Sequence, residues 1–205
     1  MIDLLELHRH KSERPRAAHN GTIVPINELI VEINREEHER YIALNEARKR
    51  YWRVYPTFFA CLKCMDGRVH LPSMTGTPMG LVKPFRSIGG EFESFWPAFM
   101  KRLTNWMEAA IHESAERCCV LVSYHFSASN SHLGCAGWKY DTASARKHAE
   151  KLAGDLSYDY GEQMAVIVMG VETDNDILTL HGPSGDVSGQ DLIGKTEEEA
   201  RALIR

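Results

Sequence analysis

From residue 26 onward, the apolar and polar positions of the chain follow first a helical and then a strand-like pattern. Residues 26–51 carry apolar side chains at roughly helical spacing among many charges, which predicts a long helix on the surface. Residues 57–64, 118–125 and 164–171 are short apolar runs, which are typical of buried parallel strands. The chain therefore contains both patterns, and their order decides the fold class.

Two further helical patterns separate these strands. Between Ser94 and about Arg117 an apolar stripe is formed by Phe95, Phe99, Met100, Leu103, Trp106, Met107, Ala110 and Ile111. A second helix is predicted from Asp141 to Leu156, with an inward face made of Ala145, Ala149, Leu152 and Leu156. This alternation predicts an α/β fold, with a central, mostly parallel β-sheet flanked by helices and an N-terminal helical arm.

The remaining segments predict shorter elements. Residues 72–90 are rich in proline, glycine, serine and threonine, which indicates a long loop with a short strand at 81–85. Residues 177–182 predict a short strand that follows a turn. Thr196 and Glu199 have the spacing of a capping box, so they predict the start of a last helix.

Charge and hydropathy narrow the choice of partners. The formal net charge is −4 and no basic tract occurs, so nucleic acid is a poor candidate for the main partner. No apolar run approaches the length of a membrane span, which predicts a protein with no membrane partner. The expected location is the cytoplasm.

Several side chains with metal-binding or acid–base chemistry lie where two predicted strands end. Three directly end or follow the first strand: Cys64, Asp66 and Arg68. Three more lie at the end of the second strand or in the loop after it: His125, His132 and Cys135. Because ligand sites in open α/β sheets lie beyond the carboxyl ends of the strands, these two groups are expected to meet.

Zinc suits this set of side chains. The chain has five cysteines, an odd number with two adjacent, which does not resemble a disulfide framework. Thiolate and imidazole are ready zinc ligands, and catalytic zinc keeps three protein ligands and one open position. Arg68 can pair with Asp66 and keep that carboxylate ionised, so that it orients a water molecule. Cys61 lies inside an apolar run and is interpreted as a core residue.

The pattern Cys-x-Asp-x-Arg, followed by histidine and then by Cys-Ala-Gly, resembles the β-class carbonic anhydrases. The stretch FRSIGG, residues 85–90, is similar to that family's Arg-Asn-x-Gly loop, and the resemblance covers about residues 55–172. The resemblance implies that Asp66 and Arg68 form a catalytic pair. It also implies a zinc cofactor, at which zinc-bound hydroxide converts carbon dioxide reversibly to bicarbonate.

The second motif departs from the usual family pattern. Cys135 follows His125 by ten positions, whereas His132 restores the short His-x-x-Cys spacing. The longer stretch YHFSASNSHLGCAG resembles the divergent carboxysomal shell carbonic anhydrases, in which the histidine at the strand end is the ligand. This resemblance favours Cys64, His125 and Cys135 as the metal ligands, with His132 as the alternative to His125.

The resemblance also implies domains, partners and competing functions. Residues 1–52 are assigned to the N-terminal helical arm, and 53–205 to a zinc-binding α/β catalytic domain. Family members use such an arm across a subunit interface, which implies a homodimer or higher homo-oligomer. Two alternatives remain open: a related zinc hydrolase acting on carbonyl sulfide or carbon disulfide, and an inactive, zinc-stabilised assembly module.

Overall fold

The computed structural model describes residues 26–55, 57–113, 118–182 and 185–204. The helices are α1 (Ile26–Ala43), α2 (Asn45–Val54), α3 (Leu71–Thr75), α4 (Pro97–His112), α5 (Thr142–Tyr160) and α6 (Glu197–Ile204). The strands are β1 (Phe58–Cys64), β2 (Val82–Ser87), β3 (Cys118–Phe126), β4 (Met164–Glu172), β5 (Ile177–Gly182) and β6 (Gly185–Ser188). The first 25 residues of the predicted arm lie outside the described residues.

The strands form one six-stranded sheet in the order β2-β1-β3-β4-β5-β6. The pairings of β1 with β2, β1 with β3 and β3 with β4 are parallel. β5 and β6 return antiparallel at one edge. The predicted α/β class with a mostly parallel central sheet is therefore confirmed, and β1 and β3, which carry the candidate site residues, are neighbours.

Alternation of side chains along β1 and β3 divides the buried residues between the two faces of the sheet. One face packs against α4 and α5, and its core includes Leu62, Val120, Val122, Leu103 and Leu156. The other face has a smaller cluster made of Cys61, Val69, Leu71, Met169 and Val171. Cys61 is fully buried there, which confirms its interpretation as a core residue.

The start of α4 was predicted too early. The helix begins at Pro97, and Trp96 before it has an extended backbone. Proline suits the first helical position because it has no amide hydrogen to leave unpaired, and it disfavours helical geometry in the residue before it. Phe95 therefore lies outside the helix and is 78% exposed instead of joining the apolar stripe.

Two short elements were not predicted, α3 and β6. Both are only a few residues long, so neither shows a periodic pattern of apolar residues. The predicted capping box of α6 is present: the Thr196 amide donates to the Glu199 carboxylate, and the Glu199 amide donates to the Thr196 hydroxyl. None of the described helices is both long and apolar enough to cross a membrane.

Candidate metal centre

Cys64 is the last residue of β1 and is buried. The next residue, Met65, is held by the bond from its amide to the Ser87 carbonyl at the end of β2, 2.9 Å long. Gly90 packs so closely that a Cβ there would lie 3.3 Å from the Cys64 nitrogen. The neighbouring strand and the loop after it therefore fix the backbone that carries this thiol.

His125 lies near the end of β3, next to β1, and is 2% exposed. Both of its ring nitrogens are buried, and neither has a hydrogen-bond partner among the described residues. Leaving a buried polar atom unpaired costs about 1–3 kcal/mol. Two unpaired nitrogens on one buried ring are therefore a sign that a ligand belongs at this position.

Cys135 is positioned by two short turns. It follows the 3-10 turn Ser131–Leu133 and precedes the 3-10 turn Ala136–Trp138. Its carbonyl accepts hydrogen bonds from the amides of Trp138 (3.1 Å) and Tyr140 (2.9 Å). These bonds fix the backbone beside a thiol that is 3% exposed.

The two strand ends and this loop bring together three possible metal ligands, Cys64, His125 and Cys135, here called the Cys–His–Cys cluster. Their ligand atoms all lie within 4.8 Å of one another. The two sulfur atoms are 3.9 Å apart. Two thiolates bound tetrahedrally to zinc at about 2.3 Å each would lie about 3.8 Å apart, so the spacing fits that metal.

His132, the alternative to His125, lies elsewhere. It is exposed, its amide donates to Asn130 Oδ1, and its ring meets the edge of Tyr140 at a centroid distance of 5.4 Å. It does not belong to the group of side chains whose ligand atoms converge. The short His-x-x-Cys spacing therefore does not bring His132 into the cluster: His132 lies within the 3-10 turn Ser131–Leu133, and Cys135 follows it.

Asp66 and Arg68 form a bidentate ion pair beside the cluster and are called the dyad below. Arg68 Nε donates to Asp66 Oδ1 at 3.1 Å, and a terminal guanidinium nitrogen donates to Oδ2 at 2.7 Å. The Arg68 amide also donates to Oδ1, at 2.9 Å. The Arg68 guanidinium lowers the pKa of the Asp66 carboxyl to about 2, so the group is ionised at neutral pH.

The two thiols of the cluster are linked by a hydrogen bond from Cys135 to Cys64. The hydrogen bond from the Cys135 thiol lowers the pKa of the Cys64 thiol, although burial acts in the opposite direction. The neighbouring Cys64 sulfur and burial both raise the pKa of the Cys135 thiol. Cys64 is therefore the thiol of the pair that loses its proton more readily, and a bound divalent cation would favour the thiolate form of both.

Asp174, in the turn after β4, holds the long loop between His125 and Cys135. Both of its carboxylate oxygens accept from the Ser127 hydroxyl at 2.9 Å, and one accepts from the Ser129 amide at 2.8 Å. The sequence predicted only a turn at this position. No local pattern indicates the pairing, because the partners are 45 and 47 residues apart.

Glycines allow the loops around the cluster to approach closely, a role that the sequence analysis did not assign. A Cβ on Gly137 would lie 2.6 Å from the Gly89 Cα, which no side chain tolerates. Gly90 has a φ of 69°, a conformation that favours glycine. The sequence signal for the close approach of Gly137 to Gly89 is the pair Gly89-Gly90 together with the glycine that follows Cys135-Ala136.

A further histidine, His181 on β5, belongs to a largely buried hydrogen-bond network away from the cluster. The His181 side chain is 8% exposed; it bonds the Tyr124 hydroxyl at 2.9 Å and Asp186 at 2.7 Å. A Cβ on Gly170 would lie 2.8 Å from that hydroxyl, so the glycine makes room for it. This network lies on the opposite face of β3 from His125, since Tyr124 and His125 are consecutive strand residues.

An open groove of about 750 Å³ lies between the arm and the loop before β2. It is lined by Tyr41, Arg48, Lys49, Trp52, Arg53, Gly80 and Leu81. No member of the Cys–His–Cys cluster or of the dyad lines it. The chemistry of the cluster is therefore separate from this groove.

Comparison with solved structures shows the fold. The structure of the β-carbonic anhydrase CcaA has a TM-score of 0.54 and 13% identity, covering 85% of this chain and 96% of that chain. A β-carbonic anhydrase, CafA, of Aspergillus fumigatus has a TM-score of 0.48 and 12% identity, covering 85% of this chain and 95% of that chain. At such low identities the comparison shows the fold alone, and the assignment of the fold is based on the similarity to CcaA.

Comparison of the sequence with protein-family models shows the family as well as the fold. No curated protein sequence matches the chain. The family model described as "Carboxysome Shell Carbonic Anhydrase, catalytic domain" matches residues 88–195, which is more than half of the 205 residues. The match includes His125 and Cys135, together with the unusual loop between them, and begins after Cys64 and the dyad. The chain therefore belongs to the family of the carboxysome shell carbonic anhydrase catalytic domain.

Proposed function

We propose that this protein is a zinc-dependent carbonic anhydrase, which hydrates carbon dioxide reversibly to bicarbonate at the Cys–His–Cys cluster. The observation that carries the proposal is the convergence of two thiols and an imidazole, whose two buried nitrogens lack a partner, beside an ionised dyad. Cys64, His125 and Cys135 would hold the zinc ion. When bound, zinc would lower the pKa of a water molecule to about 7 and supply a nucleophile at neutral pH.

Asp66 would orient that water as a hydrogen-bond acceptor. A carboxylate has about four acceptor positions. Arg68 occupies three of them, two on Oδ1 and one on Oδ2. One position on Oδ2 therefore remains for a water proton, and the rigid pairing with Arg68 sets its direction.

The dyad also argues for an enzyme over a purely structural zinc module. A structural zinc site is normally closed by four protein ligands. Only three ligand residues converge among the described residues, and the nearby carboxylate is committed to Arg68. This arrangement leaves a fourth position for a reacting molecule.

Loss of Arg68 is expected to lower kcat for carbon dioxide hydration by roughly a hundredfold to a thousandfold, the range found when one orienting group is removed. In Arg68→Ala, Asp66 loses its bidentate partner and no longer presents a fixed acceptor. Zinc content should stay near that of the unmutated protein, because Arg68 supplies no ligand. Stopped-flow hydration with a pH indicator and metal analysis measure the two quantities.

A matched control is Arg146→Ala. Arg146 also pairs with a carboxylate, Glu150 at 2.7 Å, but on the surface of α5. This variant should keep both zinc and activity. Equal losses in the two variants, or full activity in Arg68→Ala, would contradict the role of the dyad.

Substrate choice is tested on the zinc-loaded protein. Carbon dioxide, carbonyl sulfide and carbon disulfide are linear molecules with an electrophilic carbon, so the same residues could serve all three. The proposal expects hydration of carbon dioxide to exceed hydrolysis of carbonyl sulfide. The reverse order would favour the related hydrolase, and one bound zinc with neither activity would favour an assembly module.

We also propose that residues 1–52 act as an arm that packs against a second copy, next to the catalytic domain of residues 53–205. Several large apolar side chains of α1 are exposed in the single chain: Ile26, Ile30, Val31, Ile33, Tyr41 and Ile42. α2 has no buried residue. Light scattering is expected to give the mass of a dimer or larger homo-oligomer, and a monomer at micromolar concentration would contradict this.

A further inference from the structure

Lys63, the residue before Cys64, is buried in an unusual way. It is 2% exposed, although lysine is almost never fully buried unless it is paired. Strand alternation directs its side chain to the face of Cys61, away from that of Leu62. The sequence signal was a single lysine in the otherwise apolar run FFACLKC.

The surroundings of Lys63 make its burial costly. No carboxylate forms a salt bridge with it in the part of the chain that the structure describes. Its register partner on β2 is another cation, Arg86, and like charges side by side on a sheet are destabilising. Burial and Arg86 both lower the pKa of the Lys63 ammonium. Some interaction must offset these costs for the side chain to remain inside.

Among the described residues, the hydrogen-bond partner of the ammonium lies in the loop that carries the dyad. Lys63 Nζ donates to the carbonyl oxygen of Val69. The start of the same loop is held by the Met65 amide, which donates to Ser87 at 2.9 Å. Within the loop, the Val69 amide donates to the Asp66 carbonyl at 3.2 Å. Both ends of the segment 65–69 are therefore tied to the sheet, and Lys63 supplies the second tie.

We propose that Lys63 is a positioning residue, which ties the far end of loop 65–69 to β1 and thereby fixes the dyad relative to the Cys–His–Cys cluster. Lys63 touches no substrate and acts through the backbone of Val69. Its role in catalysis rests on the proposed function, whereas its hold on the loop does not. A neutral side chain of similar volume, such as methionine, would leave this carbonyl without its donor.

The test compares Lys63→Met with the unmutated protein by hydrogen exchange of the amides of residues 65–70. Methionine keeps a long flexible side chain and removes the donor. Exchange in this loop should become about tenfold faster or more, while the loop 127–134 remains unchanged. Lys83→Met, which alters an exposed lysine on β2, is the matched control and should change neither. Unchanged exchange at 65–70 in Lys63→Met would overturn the proposal.

A second arm tests the route through the dyad. In zinc-loaded protein, Lys63→Met should lower kcat roughly tenfold to a hundredfold without loss of zinc, with a smaller effect on KM. In the Arg68→Ala background the same change should have little further effect, because the dyad is already broken. Fully additive losses would show that Lys63 acts elsewhere and would overturn the proposal.

Two further provisions keep the test decisive. If Lys63→Met yields no folded protein, Lys63→Gln is used, because glutamine keeps a shorter polar donor. Exchange of the amides of residues 65–70 should then accelerate by a smaller factor. Unchanged exchange in this variant would overturn the proposal. If the unmutated protein does not hydrate carbon dioxide, the proposed function fails and the exchange measurement alone decides on Lys63. If hydration is present and exchange is unaffected, the function stands and the positioning role fails.

Discussion

Replacing His125 with alanine is expected to abolish carbon dioxide hydration and to weaken zinc binding strongly, whereas replacing His132 with alanine leaves both intact. His125 supplies the only imidazole in the described cluster, and its nitrogens have no other partner. Removing one ligand of three should weaken zinc binding by roughly a thousandfold, about a third of the total binding free energy of such sites. Metal analysis after dialysis and stopped-flow hydration measure both effects.

His132→Ala serves as the control from the same loop. Its side chain is exposed, and the variant loses only the edge contact with Tyr140, so its stability should change by about 0.5 kcal/mol or less. Loss of zinc in His132→Ala with retention in His125→Ala would reverse the assignment. Retention of zinc and activity in both variants would exclude histidine as a ligand.

Replacing Cys64 with alanine should have an effect of the same size. The variant removes one of two thiols that lie 3.9 Å apart and leaves one thiol and one imidazole, one ligand fewer than the three that hold a catalytic zinc ion. Hydration should fall to the rate of the uncatalysed reaction. Zinc content and hydration rate are measured on the same preparation.

Cys61→Ala is the matched control, three residues earlier on the same strand. Cys61 is fully buried on the opposite face and belongs to an apolar cluster. Its replacement should cost about 1 kcal/mol of unfolding free energy from the lost packing, with zinc and activity unchanged. Zinc loss in Cys61→Ala but not in Cys64→Ala would make the first cysteine of the Cys-x-x-Cys pair the ligand instead.

Most of the fold could be predicted because its central strands are continuous apolar runs. β1, β3 and β4 are buried on both faces and need no alternation, and α5 shows its inward stripe directly. The start of α4 was missed because the apolar pattern extends back to Phe95, whereas Pro97 occupies the first turn of the helix and keeps the residue before it out of helical geometry. α3 and β6 are only five and four residues long, so neither shows a periodic pattern of apolar residues.

The site could be predicted in part for a related physical reason. The carboxyl ends of neighbouring parallel strands lie at the same edge of the sheet. Because Cys64 and His125 were predicted at the ends of two such strands, they were also expected to lie close together. The choice between His125 and His132 depends on how the loop of residues 127–134 folds, and Asn130 and Asp174 stabilise that fold through hydrogen bonds to backbone amides. The role of Lys63 could not be predicted because its partner is the backbone carbonyl of Val69, and every residue has such a group, so the sequence does not indicate which one is bound.

The central claim is that the Cys–His–Cys cluster holds the zinc that makes this chain a carbonic anhydrase. The most direct test titrates metal-free protein with zinc and follows carbon dioxide hydration by stopped flow after each addition. The account predicts that activity rises in proportion to added zinc and levels off at about one zinc per chain, the stoichiometry of a three-ligand catalytic site. Uptake of one zinc per chain with hydration no faster than the uncatalysed reaction would contradict it.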